Sequence, residues 1–546
     1  MRSVILGLLL SVPALSAPSQ PASTSAADST DAASLTGSSV PKTPPASSEL
    51  TDFERLLLEK IERLERRLAD VESGHVAKAP ANSAPASLDP AAARGPNPAP
   101  QPQAATALVG SAPSGLAPTE EAAPEKPAKP EPFAFADFTW LTGNSRQKDF
   151  PLQTKYFTGE IRVDTAYHYS FNHPKDDTIS GSTEVFRHNE IQLTDLGFGG
   201  DFHWENVHAR LLTQFGLYSQ TQPRNDASPA KGQWSLDGAY RYLGEAYGGY
   251  HIDALSGINI DGGLFLSYIG LFSFYQFDNW AYQPSYVSSN TPWYFVGARA
   301  QIYTSDKLKI EPWYINGWQS YGKFNRAPGI GGQILWRPNG SISFVSNNYY
   351  GTDTLNTPDR KRFHTDNSIQ VKYYDQPTAF LDKAAFTVTV DLGCEWGGGV
   401  TCSGNKSIPA QYFAGFMIYN RVWFDRDRFA ITLGGGYINN PGRYLVLIPP
   451  INGATAFSGT PYFTASPGDP FKAWDYSFTF DYMPIQFATF RLEFNRRLAN
   501  VPYFAGPLGV TPPSGNTGPP GSVVPGFTPD LVRGESRFTL GLLVKL

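Results

Sequence analysis

The sequence predicts an all-β protein, a transmembrane antiparallel β-barrel of about sixteen strands, on three observations. From residue 156 to residue 546, short stretches of alternating polar and apolar residues follow one another, and a period of two is that of a β-strand. The connections between the stretches are alternately long and short, as in a barrel with turns at one end and loops at the other. Aromatic residues form 14% of the chain, more than a soluble core needs and typical of the girdles at lipid interfaces.

The first stretch, residues 156–171, has the most regular alternation. Ile161 and Val163 lie on one face, whereas Glu160 and Arg162 lie on the other. An apolar face opposite a face of mixed charge fits a wall with lipid outside and water inside. A soluble β-sandwich would give no reason for the asymmetry between long and short connections.

Sixteen such stretches can be placed along the chain. They are residues 156–171, 187–202, 205–219, 238–252, 256–268, 293–304, 307–318, 328–338, 341–350, 362–375, 384–394, 410–420, 427–439, 471–483, 485–497 and 536–546. The long connections, which we assign to the outside, are residues 172–186, 220–237, 269–292, 319–327, 351–361, 395–409, 440–470 and 498–535.

The residues before the barrel predict export and a separate module. Residues 1–17 have the basic start, apolar run and small-residue end of a signal peptide. Residues 18–48 are rich in Ala, Ser, Pro and Thr and are expected to be disordered, and residues 74–132 form a Pro/Ala-rich linker. The barrel domain is then residues 133–546.

A short coiled coil is predicted over residues 49–73. Leu50, Leu57, Leu64 and Val71 recur every seven residues, as the core positions of a coiled coil do. Glu54 occupies another core position, so the seam is short, and a solitary amphipathic helix is the alternative. We expect this element to be periplasmic.

The two cysteines, Cys394 and Cys402, fall at the sixth long connection. In an exported protein such a pair predicts a disulfide. A metal site is the alternative, but no further Cys or His lies near enough in the sequence to complete a ligand set.

Other classes of function find little support. The net charge is −5 without a basic cluster on the barrel, so nucleic-acid binding is not expected. No apolar run beyond the first residues approaches the about 20 residues of a membrane helix. No nucleophile elbow, zinc-protease motif or phosphate loop appears, so we predict neither an enzyme nor a cofactor.

Several segments resemble a known family, the β-barrel porins of the porin-2, OmpL-like type. The segments are Asp137-Phe138-Thr139-Trp140, Gly262-Gly263-Leu264-Phe265 with Asp278-Asn279-Trp280-Ala281-Tyr282, and Arg491-Leu492-Glu493-Phe494. The resemblance covers about residues 135–546 and implies a pore without naming its solute. One departure is the final residue, because such porins usually end on an aromatic residue and this chain ends on Leu546.

Alternation along the strands predicts which charged residues face the lumen. Ten are basic and nine are acidic, a mixture that does not favour strong ion selectivity. The alternative role for each is a cross-strand ion pair that merely solvates the wall. The predicted pore-lining residues are Glu160, Arg162, Asp164, Arg210, Arg241, Glu245, Arg299, Lys309, Glu311, Arg362, Asp366, Lys372, Arg491, Glu493 and Arg497, with Asp261, Lys307, Asp475 and Asp481 on the same faces.

The third long connection is the candidate constriction. The resemblance implies that it folds inward, as the third loop of sixteen-stranded trimeric porins does. Its rings could stack on sugars while its amide and carboxylate make polar contacts, or the rings could only attach the loop to the wall. The residues are Phe272, Phe274, Tyr275, Asp278, Asn279, Trp280 and Tyr282.

The sequence therefore predicts a channel for passive diffusion of small hydrophilic solutes in the outer membrane of a Gram-negative bacterium. Its partners would be outer-membrane lipid, the solutes and further copies of the chain, with a trimer favoured. The alternative is a non-conducting tether or adhesin whose coiled coil grips a periplasmic partner.

Overall fold

A computed structural model describes Glu62, Arg66 and residues 131–144, 147–182, 184–224, 226, 228–323 and 325–546. Residues 1–93 and 94–546 form two compact units. Of the first unit only Glu62 and Arg66 are described. Both are helical, and their side chains pair at 3.2 Å across one helical turn. The rest of the predicted coiled coil, the signal peptide, the disordered stretch and nearly all of the linker lie outside the described residues.

Among the described residues of the second unit, sixteen of the eighteen strands form the barrel. They are β1 (Phe157–Ser170), β2 (Glu190–Trp204), β3 (Val207–Thr213), β4 (Leu243–Ile252), β5 (Ile258–Leu266), β6 (Tyr294–Ser305), β7 (Leu308–Ile315), β8 (Gly329–Asn339), β9 (Ile342–Gly351), β10 (Lys361–Asp375), β11 (Leu381–Trp396), β12 (Tyr412–Phe424), β13 (Phe429–Asn439), β14 (Lys472–Ile485), β15 (Ala488–Ala499) and β18 (Gly534–Lys545). The other two, β16 (Phe504–Ala505) and β17 (Leu531–Val532), pair with each other in the last loop.

The barrel is closed because its first and last strands pair with each other. Each strand is antiparallel to its neighbours in sequence, and β1 pairs with β18 from Arg162 opposite Lys545 to Ser170 opposite Arg537. Closure leaves no strand edge unpaired, which is what a sheet in lipid requires. The prediction of a sixteen-stranded antiparallel barrel is confirmed.

The strand boundaries differ from the predicted ones mainly beside the second long loop. There, α1 (Tyr218–Arg224) and α2 (Leu236–Tyr240) occupy residues that we predicted to extend β3 and β4. Ser235 caps α2 by accepting a hydrogen bond from the Gly238 amide, a local bond that favours a helix start over a strand. A third helix, α3 (Tyr286–Ser289), lies in the third loop.

The two ends of the barrel differ, as the alternating connections predict. Short turns join alternate strand pairs at one end of the barrel, the turn end, and eight long loops join the other pairs at the opposite end, the loop end. In chain order the loops L1 to L8 are residues 171–189, 214–242, 267–293, 316–328, 352–360, 397–411, 440–471 and 500–533. The outer face is apolar, with Ile191, Ile260 and Leu433 about half exposed or more. None of the described helices is long and apolar enough to cross a bilayer.

The disulfide between Cys394 and Cys402 is confirmed. It joins the loop end of β11 to L6, with the two Cα atoms 5.1 Å apart. Neither cysteine is free.

Candidate functional site: the lumen and its constriction

The inner face of the barrel holds most of the predicted pore-lining charges. Twelve of the fifteen are buried there: Arg162, Asp164, Arg210, Glu245, Arg299, Lys309, Glu311, Arg362, Asp366, Arg491, Glu493 and Arg497. Asp261, Asp475 and Asp481 are buried as well. They are buried because loops and neighbouring side chains fill the lumen around them.

Four predicted positions differ from this pattern. Arg241 does not lie on a strand, because β4 begins only at Leu243. Lys307 lies in the exposed turn between β6 and β7. Glu160 and Lys372 are on strands but only partly buried, near the turn end.

L3, residues 267–293, crosses the lumen. Nearly all of its residues are buried, which an external loop exposed to water would not show. At its start the Tyr268 carbonyl accepts a hydrogen bond from Asn347 on β9, and in its second half the Ser285 hydroxyl donates to Asp475 on β14. The loop therefore reaches the opposite wall, as the resemblance implied.

Asp278 of L3 forms a charged contact with two basic residues of the wall. Its carboxylate accepts a hydrogen bond from Arg162 of β1 at 2.9 Å and lies 3.6 Å from the ammonium of Lys545 on β18. Glu160 also pairs with Arg162, so both signs of charge meet at this level of the lumen.

Two acidic residues that we predicted to line the pore accept hydrogen bonds from L3. Glu493 accepts hydrogen bonds from the backbone amides of Tyr282 and Gln283, the second at 2.9 Å. Asp164 accepts from the Tyr282 hydroxyl at 3.0 Å. These charge-assisted bonds fix the middle of the loop to β1 and β15.

Two arginines of β15 secure the loop in the same way. Arg491 donates to the carbonyl oxygen of Asn279 at 2.9 Å and pairs with Asp481 at 2.7 Å. Arg497 stacks on the ring of Tyr286, with its guanidinium carbon 4.0 Å from the ring centre. It also donates to the carbonyl oxygen of Gly181 in L1.

Several of the other predicted charges form pairs along the wall. Arg299 pairs with Asp261 and Lys309 with Glu311, each at 2.8 Å or less. Arg362 lies between Asp353 and Glu395. Burial raises the pKa of Asp353, a residue of the loop after β9, against the opposing effect of the Arg362 guanidinium.

The aromatic rings of L3 pack on other rings. Phe274 stacks on Trp293 with 5.3 Å between ring centres, and Trp280 meets Trp423 of β12 edge to face. Phe272 contacts Tyr419. Because Trp280 and Tyr282 are at most 1% exposed, these rings attach the loop to its surroundings.

A second segment enters the lumen from the turn end. We name residues 133–144 the lumen segment; its 3-10 helix covers Thr139–Leu141, and Phe133, Phe138, Trp140 and Leu141 are buried. It meets L3 where the Gly143 amide donates to the carbonyl oxygen of Asp278 at 3.0 Å. Sequence reasoning did not predict this contact, and the apolar character of the segment was its one signal.

Sequence reasoning also missed several buried charges. Arg337 and Arg421 fell at the edges of predicted strands, whereas β8 and β12 extend through them. Arg537 of β18 lies on the face opposite Phe538, so alternation could have found it. No group of three or more metal-binding side chains occurs among the described residues.

A closed sixteen-stranded barrel with a polar lumen and an inward third loop defines an outer-membrane β-barrel of the porin class. The family described as "Putative beta-barrel porin-2, OmpL-like" matches residues 157–517, and the chain belongs to this family.

Solved structures of outer-membrane channels are similar to the chain at low sequence identity. The channel DcaP of Acinetobacter baumannii has 11% identity and a TM-score of 0.41, with 71% of this chain and 97% of that chain covered. The anion-selective porin of Comamonas acidovorans has 9% identity and a TM-score of 0.41, with 71% and 99% covered. OprB of Pseudomonas putida has 10% identity and a TM-score of 0.41, with 71% and 94% covered. No curated protein matches the sequence.

Proposed function

We propose that this protein is an outer-membrane channel for the passive diffusion of small hydrophilic solutes. The observation that carries the proposal is the charged inner wall with Asp278 of L3 set against Arg162 and Lys545. A wall facing only packed protein would gain stability from apolar residues, because buried ion pairs are weak stabilisers. Charges of both signs along the inner wall suit the transfer of polar solutes, with weak ion selectivity.

Uptake into liposomes tests the proposal directly. Vesicles that contain the purified barrel should swell in solutions of small sugars and amino acids, and more slowly as the solute grows. Vesicles with heat-unfolded protein serve as the control. Equal swelling rates with folded and unfolded protein would contradict a channel.

A narrower hypothesis is that the rings of L3 guide sugars. Its support is the density of aromatic and amide side chains in the loop. The burial of Trp280 and Tyr282 weighs against it, because a sugar ring needs an exposed aromatic face to stack on. Block of the ion current by added oligosaccharides would support it, and unchanged current would exclude it.

The second candidate function is a non-conducting tether, and the filled lumen favours it. L3 and the lumen segment together occupy the barrel interior, with Trp140, Leu141 and Trp280 at most 3% exposed. A tether needs no open passage, only a stable barrel and an N-terminal part that binds a partner. Electrical conductance distinguishes the two functions.

For the topology we propose that the turn end faces the periplasm and the long loops face outward. Residues 1–17 would be removed on export, and residues 49–73 would pair as a periplasmic coiled coil. Residues 18–48 and 74–132 would be connecting segments that have no hydrophobic core of their own. The proposal rests on composition and heptad spacing. Proteolysis of intact cells, compared with permeabilised cells, would reveal on which side each segment lies.

We further propose that the barrel assembles with copies of itself, with a trimer favoured. On the outside of β9 and β10, Ser346 donates a hydrogen bond to Asn367, which is exposed, and amide groups are costly in lipid. Gly248 and Gly262 face outward side by side, and an added methyl group would meet no atom nearer than 3.9 Å. Small residues of this kind let a second protein surface approach closely. Cross-linking in native membranes should give a ladder that ends at three copies.

A further inference from the structure

We propose that the lumen segment, residues 133–144, is a withdrawable plug that closes the passage from the turn end. The inference rests on the proposed channel function, because a plug has meaning only in a barrel that conducts. It concerns a part of the chain separate from L3, which narrows the lumen from the loop end.

The plug contacts L3 with no space between the two backbones. A Cβ atom on Gly143 would lie 1.9 Å from the carbonyl oxygen of Asn279 and 2.8 Å from Arg491. On the other side, Arg421 donates to the carbonyl oxygen of Gly143 at 3.2 Å. A solute therefore has no room to pass between the plug and L3 at this point.

The plug enters and leaves the lumen at the turn end. The Phe133 amide donates to the carbonyl oxygen of Asp306 in the turn between β6 and β7, and the Trp140 indole donates to that of Gly340 in the next turn. Beyond the plug, the backbone amides of Lys148 and Asp149 donate to the side-chain oxygen of Gln486, between β14 and β15 at the turn end. The segment is thus a re-entrant loop attached at the mouth of the barrel.

The surface that the plug covers carries a group that would be stable in water if the plug withdrew. Arg337 lies under the rings of Phe133 and Phe138, with its guanidinium carbon 4.5 Å from the centre of the Phe138 ring. Neither of its terminal nitrogens has a hydrogen-bond partner among the residues that the structure describes. A permanent core contact would place apolar side chains here, whereas a guanidinium is stable in water once the rings leave.

Gly143→Ala is the central variant, because its methyl group collides with the L3 backbone and must displace the plug. Gly541→Ala is the matched control: it is also in the lumen, but its Cβ would lie at an ordinary 3.5 Å from the ring of Tyr282. Deletion of residues 18–149 removes the plug entirely, and deletion of residues 18–132 retains it. Heat-modifiable mobility on gels identifies folded barrels before each is recorded in a planar bilayer.

We expect the open probability to rise by about tenfold or more in Gly143→Ala and in the longer deletion. Both changes remove contacts that stabilise the closed state, so the equilibrium between the closed and open states shifts towards the open state. Gly541→Ala and the shorter deletion should match the unmodified chain. Folded variants that all conduct like the unmodified chain would overturn the plug and leave the channel standing. Silence of every folded protein would overturn the channel, and the plug with it.

A labelling experiment on the otherwise unmodified chain covers the case in which Gly143→Ala fails to fold. Thr142 is 6% exposed, and Leu508 in L8 is 66% exposed. The thiol of a Thr142→Cys variant should react with a soluble maleimide about tenfold more slowly than that of a Leu508→Cys variant, because reaction at position 142 requires withdrawal. Equal rates would overturn the plug.

Discussion

Arg210 illustrates how the inner wall holds its charge, because its guanidinium lies within 3.0 Å of carboxylates of Glu160, Asp201 and Glu245. Alternation along the strands was enough to predict that Arg210, Glu160 and Glu245 face inward. It could not predict the partners, since those depend on the register between strands and on loops that cross the lumen. Alternation also fails at strand ends, which explains the wrong placement of Lys307 and the omission of Arg421.

The charge on Asp278 should set the small ion preference of the channel. In Asp278→Asn, Arg162 and Lys545 lose the carboxylate between them, so the passage should favour anions more. We expect the reversal potential in a salt gradient to shift on the order of 10 mV towards that of chloride. Glu205→Gln, in the exposed turn between β2 and β3, is the control and should leave it unchanged. A shift towards potassium in Asp278→Asn would contradict the assignment.

Acid should release the contact between L1 and L8 that Asp176 makes. Burial alone would raise its pKa, but hydrogen bonds from Thr511 and Val510 dominate and lower it. Because the pKa of Asp176 is lower in the folded protein than in the unfolded chain, its contact stabilises the fold at any pH above the unfolded pKa of about 4. That stabilisation is lost as the pH falls through the pKa of Asp176 in the folded protein. Amide exchange at Val510 and Thr511, corrected for intrinsic rates, should therefore accelerate in acid.

Asp176→Asn provides the comparison for that measurement. Its amide accepts hydrogen bonds without a charge and does not titrate, so protection should be weaker at neutral pH and the acid-induced loss should disappear. The same acid-induced acceleration in Asp176→Asn would assign the effect to another group.

At the scale of elements, the sequence predicted every barrel strand and erred where loops have structure of their own. α2 replaced the predicted start of β4 because capping by Ser235 outweighs a weak alternation, and α1 occupies the predicted end of β3. The inward course of L3 came from the family resemblance and not from its residues. The lumen segment was counted simply as the start of the barrel domain, since nothing in a short aromatic run specifies the cavity that will receive it.

The disulfide should stabilise β11 and L6 by restricting the unfolded chain. Closure of the loop between Cys394 and Cys402, with a sequence separation of 8, should contribute about 2–3 kcal/mol to the free energy of unfolding. Urea unfolding of reduced and oxidised barrel in the same detergent measures the difference. A mass increase on alkylation without prior reduction would reveal free thiols and contradict the assignment.

At the scale of the whole molecule, we expect closure and the polar lumen to be separable from the residues before residue 133. All sixteen barrel strands lie after residue 156, and each finds its partners within the barrel. Composition alone predicted that the barrel domain begins at residue 133, because the Pro/Ala-rich stretch before it has too few large apolar residues to form a core.

Deletion of residues 18–132 should consequently leave a barrel that folds. Its unheated form should migrate faster on gels than its heated form, as we also expect of the full chain, because the strands keep all their partners. The deletion should weaken self-association, since tethered helices raise each other's effective concentration. A truncated chain that no longer folds would show that the N-terminal part is required by the barrel.

Single-channel recording in a planar bilayer tests the central claim most directly. The purified full chain and its deletion of residues 18–149 would be recorded side by side, with gel mobility as evidence of folding. A diffusion channel predicts stepwise current openings, more frequent in the deletion, with weak selectivity between potassium and chloride. Intact barrels that stay silent in both forms would contradict the channel and leave the tether as the function of this protein.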